Sequence, residues 1–135
     1  MDWTRFVLAV LAAGFVSSLT DWFFGGVLFH EKYLQAPEVW RHSANKSGES
    51  KAIAGSIALG FLTAAVFVFV SHRLSLHTYP VTLKLAAAVW LMVAVPILVT
   101  NSLFMKLHPA LIFSHSLGWL AKLVVCALAV VLIMR

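Results

Sequence analysis

Charged residues are scarce in this sequence of 135 residues, and acidic residues are scarcer than basic ones. Asp, Glu, Lys and Arg together make up 11% of the chain, whereas they make up roughly a quarter of an average soluble domain. The hydrophobic fraction is 61% and the mean hydropathy is +0.94. A soluble domain of this length cannot bury so much apolar surface. The composition therefore excludes an ordinary soluble fold and makes the lipid bilayer the expected partner.

Cysteine is nearly absent as well, because Cys126 is the single one. It excludes an internal disulfide, and its apolar neighbours favour a packing role. The six histidines show no metal-type spacing, and neither a nucleophile elbow nor a phosphate loop is present. We predict no metal site and no cofactor, and we leave enzymatic activity open. A haem held between His30 and His115 is the remaining cofactor hypothesis, since helix bundles build such sites from facing side chains.

The net charge of +5 and the isoelectric point near 9.8 would suggest nucleic acid binding in a soluble protein. Here the basic residues mostly flank the apolar runs, where they suit lipid phosphates and the ends of membrane helices. No basic face with interleaved aromatic residues is present. We therefore predict no nucleic acid partner.

Four apolar runs are long enough to cross a bilayer, which takes about 20 helical residues. The sequence predicts an all-α, polytopic membrane protein with one domain over residues 1–135. Its four-helix bundle would have helices at about 3–29, 51–72, 81–104 and 110–134, with a polar loop over residues 30–50. Both chain ends would lie on one side, the terminal face, and the polar loop on the other, the loop face. The first helix is longer than one crossing needs, so it either tilts steeply or bends near Gly25-Gly26, and Pro96 should kink the third helix.

Asp21 lies inside the first apolar run. An ionised carboxylate at mid-bilayer costs roughly 2.5–3.5 kcal/mol, so it needs a partner, water or a function. At 1.5 Å of rise per residue, Asp21 lies roughly 13 Å from the loop face, between the depths of His115 and Lys122. Those two residues are two helical turns apart on one stripe, beside Trp119, and Asn101 enters at a shallow depth from the third helix. We predict a ligand or ion site of Asp21, Asn101, His115, Trp119 and Lys122. A structural ion pair, or a Lys122 side chain that snorkels to the interface, is the alternative.

The second span carries small residues at every fourth position. Such a stripe permits close helix approach in membranes. It predicts a helix-packing interface, either within the bundle or as the seam of a homodimer, formed by Ala52, Ser56, Gly60 and Ala64.

Two stretches resemble a known family. The first runs Asp21-Trp22-Phe23-Phe24 and continues to residues 29–32, and the second contains Trp90, Pro96 and residues 100–104 and leads into residues 112–118. In these stretches the chain is similar to small bacterial membrane proteins grouped as domain of unknown function family 1761. The resemblance implies a four-helix protein of the bacterial cytoplasmic membrane and supplies no established activity. Phe23 replaces the Tyr that the family often has there.

Two functions remain open at this stage. A carrier-like protein would use Asp21 and Lys122 to handle a proton, an ion or a small polar group, with water reaching Asp21 from one face. An accessory subunit would instead keep the ion pair dry and associate with itself or a larger complex through its small-residue stripe.

Overall fold

The computed structural model describes residues 1–35, 37–39 and 46–135, and its regular structure is helical throughout. The α-helices in this part of the chain are α1 (Trp3–Trp22), α2 (His30–Leu34), α3 (Lys46–Arg73), α4 (Tyr79–Val89), α5 (Val95–Phe104) and α6 (Pro109–Ile133). A π-helical segment, Phe23–Leu28, extends α1, another, Trp90–Ala94, joins α4 to α5, and Pro37–Val39 forms a 3₁₀ turn.

Four helical spans in the described residues are long and apolar enough to cross a membrane: Trp3–Leu28, Lys46–Arg73, Tyr79–Phe104 and Pro109–Ile133. They confirm the predicted all-α class with four membrane-spanning helices.

Short-range chemistry sets several helix ends. The Asp2 carboxylate accepts hydrogen bonds from the backbone N–H groups of Thr4 and Arg5 and so caps the start of α1. At the start of α6, Pro109 supplies a preset helical φ, and the His108 ring nitrogen Nδ1 accepts a hydrogen bond from Ala110 N–H at 3.1 Å. These caps satisfy backbone donors that a helix start leaves without partners.

The two π-helical segments lie where the sequence weakens the α-helix. Pro96 has no N–H to donate, and the backbone widens just before it, where Val95 N–H bonds to the Trp90 carbonyl. In the first span the widened turn contains Gly25 and Gly26, and it ends where Phe29 N–H bonds to the Phe24 carbonyl at 3.0 Å. Each segment lies within one continuous helical span.

Helix α6 lies at the centre of the bundle. In its most apolar window 44% of the residues are buried, against 22% or less in the other three spans. It packs against α1, α3 and α4, and α1 also packs closely against α3, where the Phe61 ring lies on Gly14. Helix α5 packs less extensively on α6 than α4 does. The chain therefore forms a tight group of α1, α3 and α6, with the α4–α5 span attached to one side of α6.

The predicted polar loop is partly helical, which corrects its boundary. Helix α3 begins at Lys46, about one turn before the predicted start at residue 51, and α2 occupies residues 30–34. Hydropathy marks only the apolar part of a helix, whereas the Lys and Glu residues before it are good helix formers in water. Residues 36 and 40–45 of that loop lie outside the described residues. The other span ends differ from the prediction by one or two residues.

A candidate polar site around Asp21 and Lys122

Asp21 and Lys122 form a direct ion pair between α1 and α6. Lys122 Nζ lies 2.8 Å from Asp21 Oδ2, which is the distance of a strong charge-assisted hydrogen bond. The two side chains are covered unequally, because 8% of the lysine side chain is exposed and 37% of the aspartate side chain is. Lys122 therefore turns into the bundle and does not snorkel to the interface. The sequence placed these two residues at similar depths, and the structure joins them.

Small residues make room for the pair. On α1, Ala9, Ala13 and Ser17 precede Asp21 at four-residue intervals, and all three are buried. On α3, a Cβ added to Gly60 would lie 3.9 Å from Lys122 Nζ, so this glycine borders the ammonium. On α6, a Cβ added to Gly118 would lie 3.6 Å from Asp21 Oδ1. The ion pair thus lies where α1, α3 and α6 meet, in space that larger side chains would fill.

Trp119 contacts the lysine of the pair. Lys122 Nζ lies 4.8 Å from the centroid of the Trp119 ring, within the range of a cation–π interaction. The ammonium therefore has the carboxylate as a neighbour and an aromatic face as a second one. Both interactions stabilise its charged form.

A second polar group lies above the pair, towards the loop face. The Tyr33 hydroxyl donates to Ser114 Oγ at 3.2 Å and lies 3.2 Å from His115 Nε2. The rings of Tyr33 and His115 also meet edge to face, with centroids 5.9 Å apart. Burial raises the pKa of Tyr33 above its usual value, and the negative charge of Asp21 raises it further, while the Ser114 hydrogen bond lowers it. The electrostatic effect of Asp21 on Tyr33 links the two polar groups.

Asn101 does not join the predicted site. Among the described residues its side chain has no hydrogen bond or ion pair with Asp21, His115 or Lys122. Its backbone carbonyl accepts a hydrogen bond from Met105 N–H at 2.8 Å, at the end of α5. Helix α5, which carries Asn101, packs less extensively on α6 than α4 does.

The polar site is closed on its other side. One and two turns from Asp21 towards the terminal face, Ser17 and Ala13 are buried, and the core there is made of apolar side chains. Val68 of α3 and Val130 of α6 are fully buried in this region. Two apolar cavities of about 340 Å³ and 130 Å³ lie beside Leu123, and Asp21 lines neither. The described residues therefore show no polar path from Asp21 to the terminal face.

The remaining predicted residues lie in two groups. Gly60 and Ala64 are buried inside the bundle, whereas Ala52 and Ser56 are exposed on a stretch of α3, residues 49–59, that is exposed throughout. A homodimer seam at Ala52 and Ser56 stays a prediction.

His30 is exposed at the start of α2, and the described residues contain no group of three or more His, Cys, Asp or Glu side chains that could hold a metal ion.

Sequence reasoning missed Tyr33 and Ser114. Amphipathic aromatic residues such as Tyr33 commonly lie at the lipid headgroup level, and nothing in the sequence places this one in the polar site. The signal that it folds back onto α6 is weak, because it depends on α2 turning the chain after Phe29. Ser114 directly precedes His115, so its depth could be predicted, but its partner could not.

Comparison with known proteins gives one match. The sequence model of the family described as "Protein of unknown function (DUF1761)" matches residues 8–132, which include every residue of the polar site. No curated protein and no solved structure is detectably similar to the chain. Because the match spans nearly the whole chain, this four-span membrane protein belongs to the family of unknown function DUF1761.

Proposed function

We propose that this protein binds a small polar or charged group at Asp21, reached from the loop face, and handles it as a carrier-like protein. The observation that supports this proposal is the unequal covering of the ion pair, since the lysine side chain is 8% exposed and the aspartate side chain 37%. A purely structural pair would be expected to cover both charges. An ionised carboxylate left uncovered inside a membrane span needs water or a ligand beside it.

The surroundings of Asp21 support access from one face only. Tyr33, Ser114 and His115 form a hydrogen-bonded group towards the loop face. Towards the terminal face the core is apolar. This arrangement favours a binding site with one entrance over an open channel, because an ion cannot cross an apolar core at low cost.

Chemical modification of the native protein tests the proposal. The protein, reconstituted in vesicles, is treated with a water-soluble carbodiimide and an amine, or with a lipid-soluble carbodiimide, and the modified carboxyl groups are located by mass spectrometry. We expect the water-soluble reagent to modify Asp21 as well as Asp2, whose side chain is 56% exposed. Modification of Asp21 by the lipid-soluble reagent alone, or by neither reagent, would overturn the proposal and favour a dry structural pair.

An accessory role is the second candidate, and one observation favours it. Residues 49–59 of α3 are exposed on all sides, and this stretch includes Ala52 and Ser56 of the small-residue stripe. A partner helix could approach closely there. In a Cys126→Ala background, Ala52→Cys should form a disulfide-linked dimer in membranes, whereas Ala54→Cys, which is also exposed but on the opposite side of the helix, should not. Equal crosslinking of both variants, or none, would contradict a specific seam.

A further inference from the structure

The chemistry of the Asp21 site selects for positive charge. The Lys122 ammonium is already engaged by Asp21 Oδ2 at 2.8 Å and by the Trp119 ring, and 8% of its side chain is exposed. An incoming anion would meet the carboxylate first. Asp21 Oδ1, by contrast, accepts no hydrogen bond from any residue that the structure describes, and Gly118 leaves the space beside it open. The available group is therefore a hydrogen-bond acceptor with negative charge.

The neighbours of this oxygen fit an organic cation better than a metal ion. Hard metal cations take six or more oxygen ligands, and the described residues hold no group of three acidic, His or Cys side chains. A Cβ on Gly118 would lie 3.6 Å from Asp21 Oδ1 and 4.0 Å from Phe24 Cδ2, and the Phe24 ring packs edge to face against Phe23, with ring centroids 5.6 Å apart. Aromatic rings near a carboxylate offer apolar contact to the substituent of an organic ammonium group.

Charge balance then predicts that binding of a cation at Asp21 releases a proton from the site. The Asp21–Lys122 pair is neutral as a whole, and a second cation on Asp21 would place a net positive charge in a low-dielectric region. The titratable groups near the ammonium are Asp21 from α1 and Cys126, one turn further along α6, while α3 presents Gly60 there. Asp21 is thus the only carboxylate near the ammonium among the described residues, so the charge that the ligand brings must be offset at Lys122.

We propose that this site exchanges a proton for a monovalent organic ammonium ion. The ammonium ligand binds Asp21 Oδ1, and its positive charge takes the place of the charge on Lys122, which stays beside Oδ2 as a neutral amine. One N–H bond of the Lys122 ammonium breaks, the electron pair stays on Nζ, and the proton leaves to water. The site is neutral before and after the exchange, and no oxidant or reductant is needed. This inference rests on the proposed function, because it requires Asp21 to be accessible.

Calorimetry of the full chain in nanodiscs of neutral lipid tests the exchange, with benzylammonium as the probe and benzoate as the anionic control. Titration in two buffers that differ in ionisation enthalpy counts the protons released. We expect benzylammonium to bind with release of about one proton, at a pH where lysine is ordinarily charged. Benzoate should not bind. Binding of benzylammonium without proton release, or binding of benzoate instead, would overturn the exchange.

Substitutions test the roles of Asp21 and Lys122 separately. Lys122→Met should bind benzylammonium and release no proton, and Asp21→Asn should lose binding at least tenfold. Asp2→Asn, outside the site, should behave as the wild type. Because Asp21→Asn can fail to fold, Gly118→Ala is the second test: its added methyl group would lie 3.6 Å from Oδ1 and should weaken binding several-fold while leaving the ion pair in place. If Gly118→Ala binds as the wild type does, or Lys122→Met still releases a proton, the assignment is wrong.

The carbodiimide experiment distinguishes the failure of this inference from failure of the proposed function. If water-soluble carbodiimide modifies Asp21 and benzylammonium does not bind, the exchange is wrong and the proposed binding function stands. If Asp21 is not modified and benzylammonium does not bind, both proposals are wrong.

Discussion

Replacing Asp21 with Asn leaves the Lys122 ammonium in a covered position without its counterion. Removing one partner of a buried ion pair costs about 3–5 kcal/mol. The loss has an upper limit, because the lysine can give up its proton. From an ordinary lysine pKa near 10.4, neutralisation at pH 7 costs about 4.6 kcal/mol, at about 1.36 kcal/mol for each pH unit. With 8% of the lysine side chain exposed, water relieves little of this cost. We expect Asp21→Asn to lower the free energy of unfolding by about 3–4 kcal/mol.

The reverse substitution should cost less. Lys122→Met keeps the length of the side chain and leaves Asp21 as an unpaired carboxylate. Because 37% of the Asp21 side chain is uncovered, water can solvate the carboxylate, and the loss should be only about 1–2 kcal/mol. Combining both substitutions removes both charges, and the double variant should recover at least about 2 kcal/mol relative to the sum of the single ones.

Reversible unfolding in mixed micelles, followed by far-ultraviolet circular dichroism, measures these differences. Lys84→Met, a change of the same type elsewhere in a span, serves as the control. Equal losses for the two single variants, or a larger loss for Lys122→Met, would refute the unequal covering of the pair, and two silent variants would refute the site.

Three further predictions concern the packing of the helices around the site. Gly14→Ala should destabilise the protein by about 1–3 kcal/mol in the same unfolding assay, because its methyl group would overlap the Phe61 ring; a neutral result would contradict the close packing of α1 on α3. Trp90→Phe should cost about 1 kcal/mol, since the indole N–H bonds to an α6 carbonyl at 2.9 Å, whereas replacing an exposed tryptophan should be neutral. In Tyr79→Phe, where Tyr33 is the remaining tyrosine, phenolate absorbance should titrate above the ordinary tyrosine pKa, because burial raises the pKa of Tyr33; titration at the ordinary value would show that α2 does not dock on α6.

The four spans and the central pairing could be predicted because both follow from strong, local physical terms. A bilayer requires about 20 apolar residues in each crossing helix, and the composition allows no other way to cover so much apolar surface. The cost of an unpaired charge in a membrane is large enough to require a partner for Asp21. Helical rise then places Lys122 at a comparable depth. Depth alone therefore found the two residues that the structure joins at 2.8 Å.

The rest of the site depends on how the helices pack, which no local term determines. Asn101 has a suitable depth, yet α5, which carries it, packs less extensively on α6 than α4 does. Tyr33 enters the site because α2 turns the chain back onto α6. Packing also decides which part of the small-residue stripe on α3 is buried. Gly60 borders the ion pair, whereas Ser56 is exposed. Spacing predicts which residues share a helix face, and packing decides which part of that face is used.

The position of the ion pair determines which conformational change a carrier-like mechanism would require. Asp21 lies between a polar group on the loop side and an apolar core on the terminal side. Under the proposed function, a bound ion would return to the loop face through the polar group, whereas release on the terminal face would require the helices to separate. The π-helical segment Phe23–Leu28 begins two residues after Asp21, and such segments hold one more residue in each turn than an α-helix, often at functional positions. Rewinding this segment as an α-helix would turn Asp21 relative to α2 while the close contact of Gly14 with Phe61 holds the rest of α1 against α3. The first span therefore has a π-helical segment directly beside its charged residue and a close helix contact two turns below it.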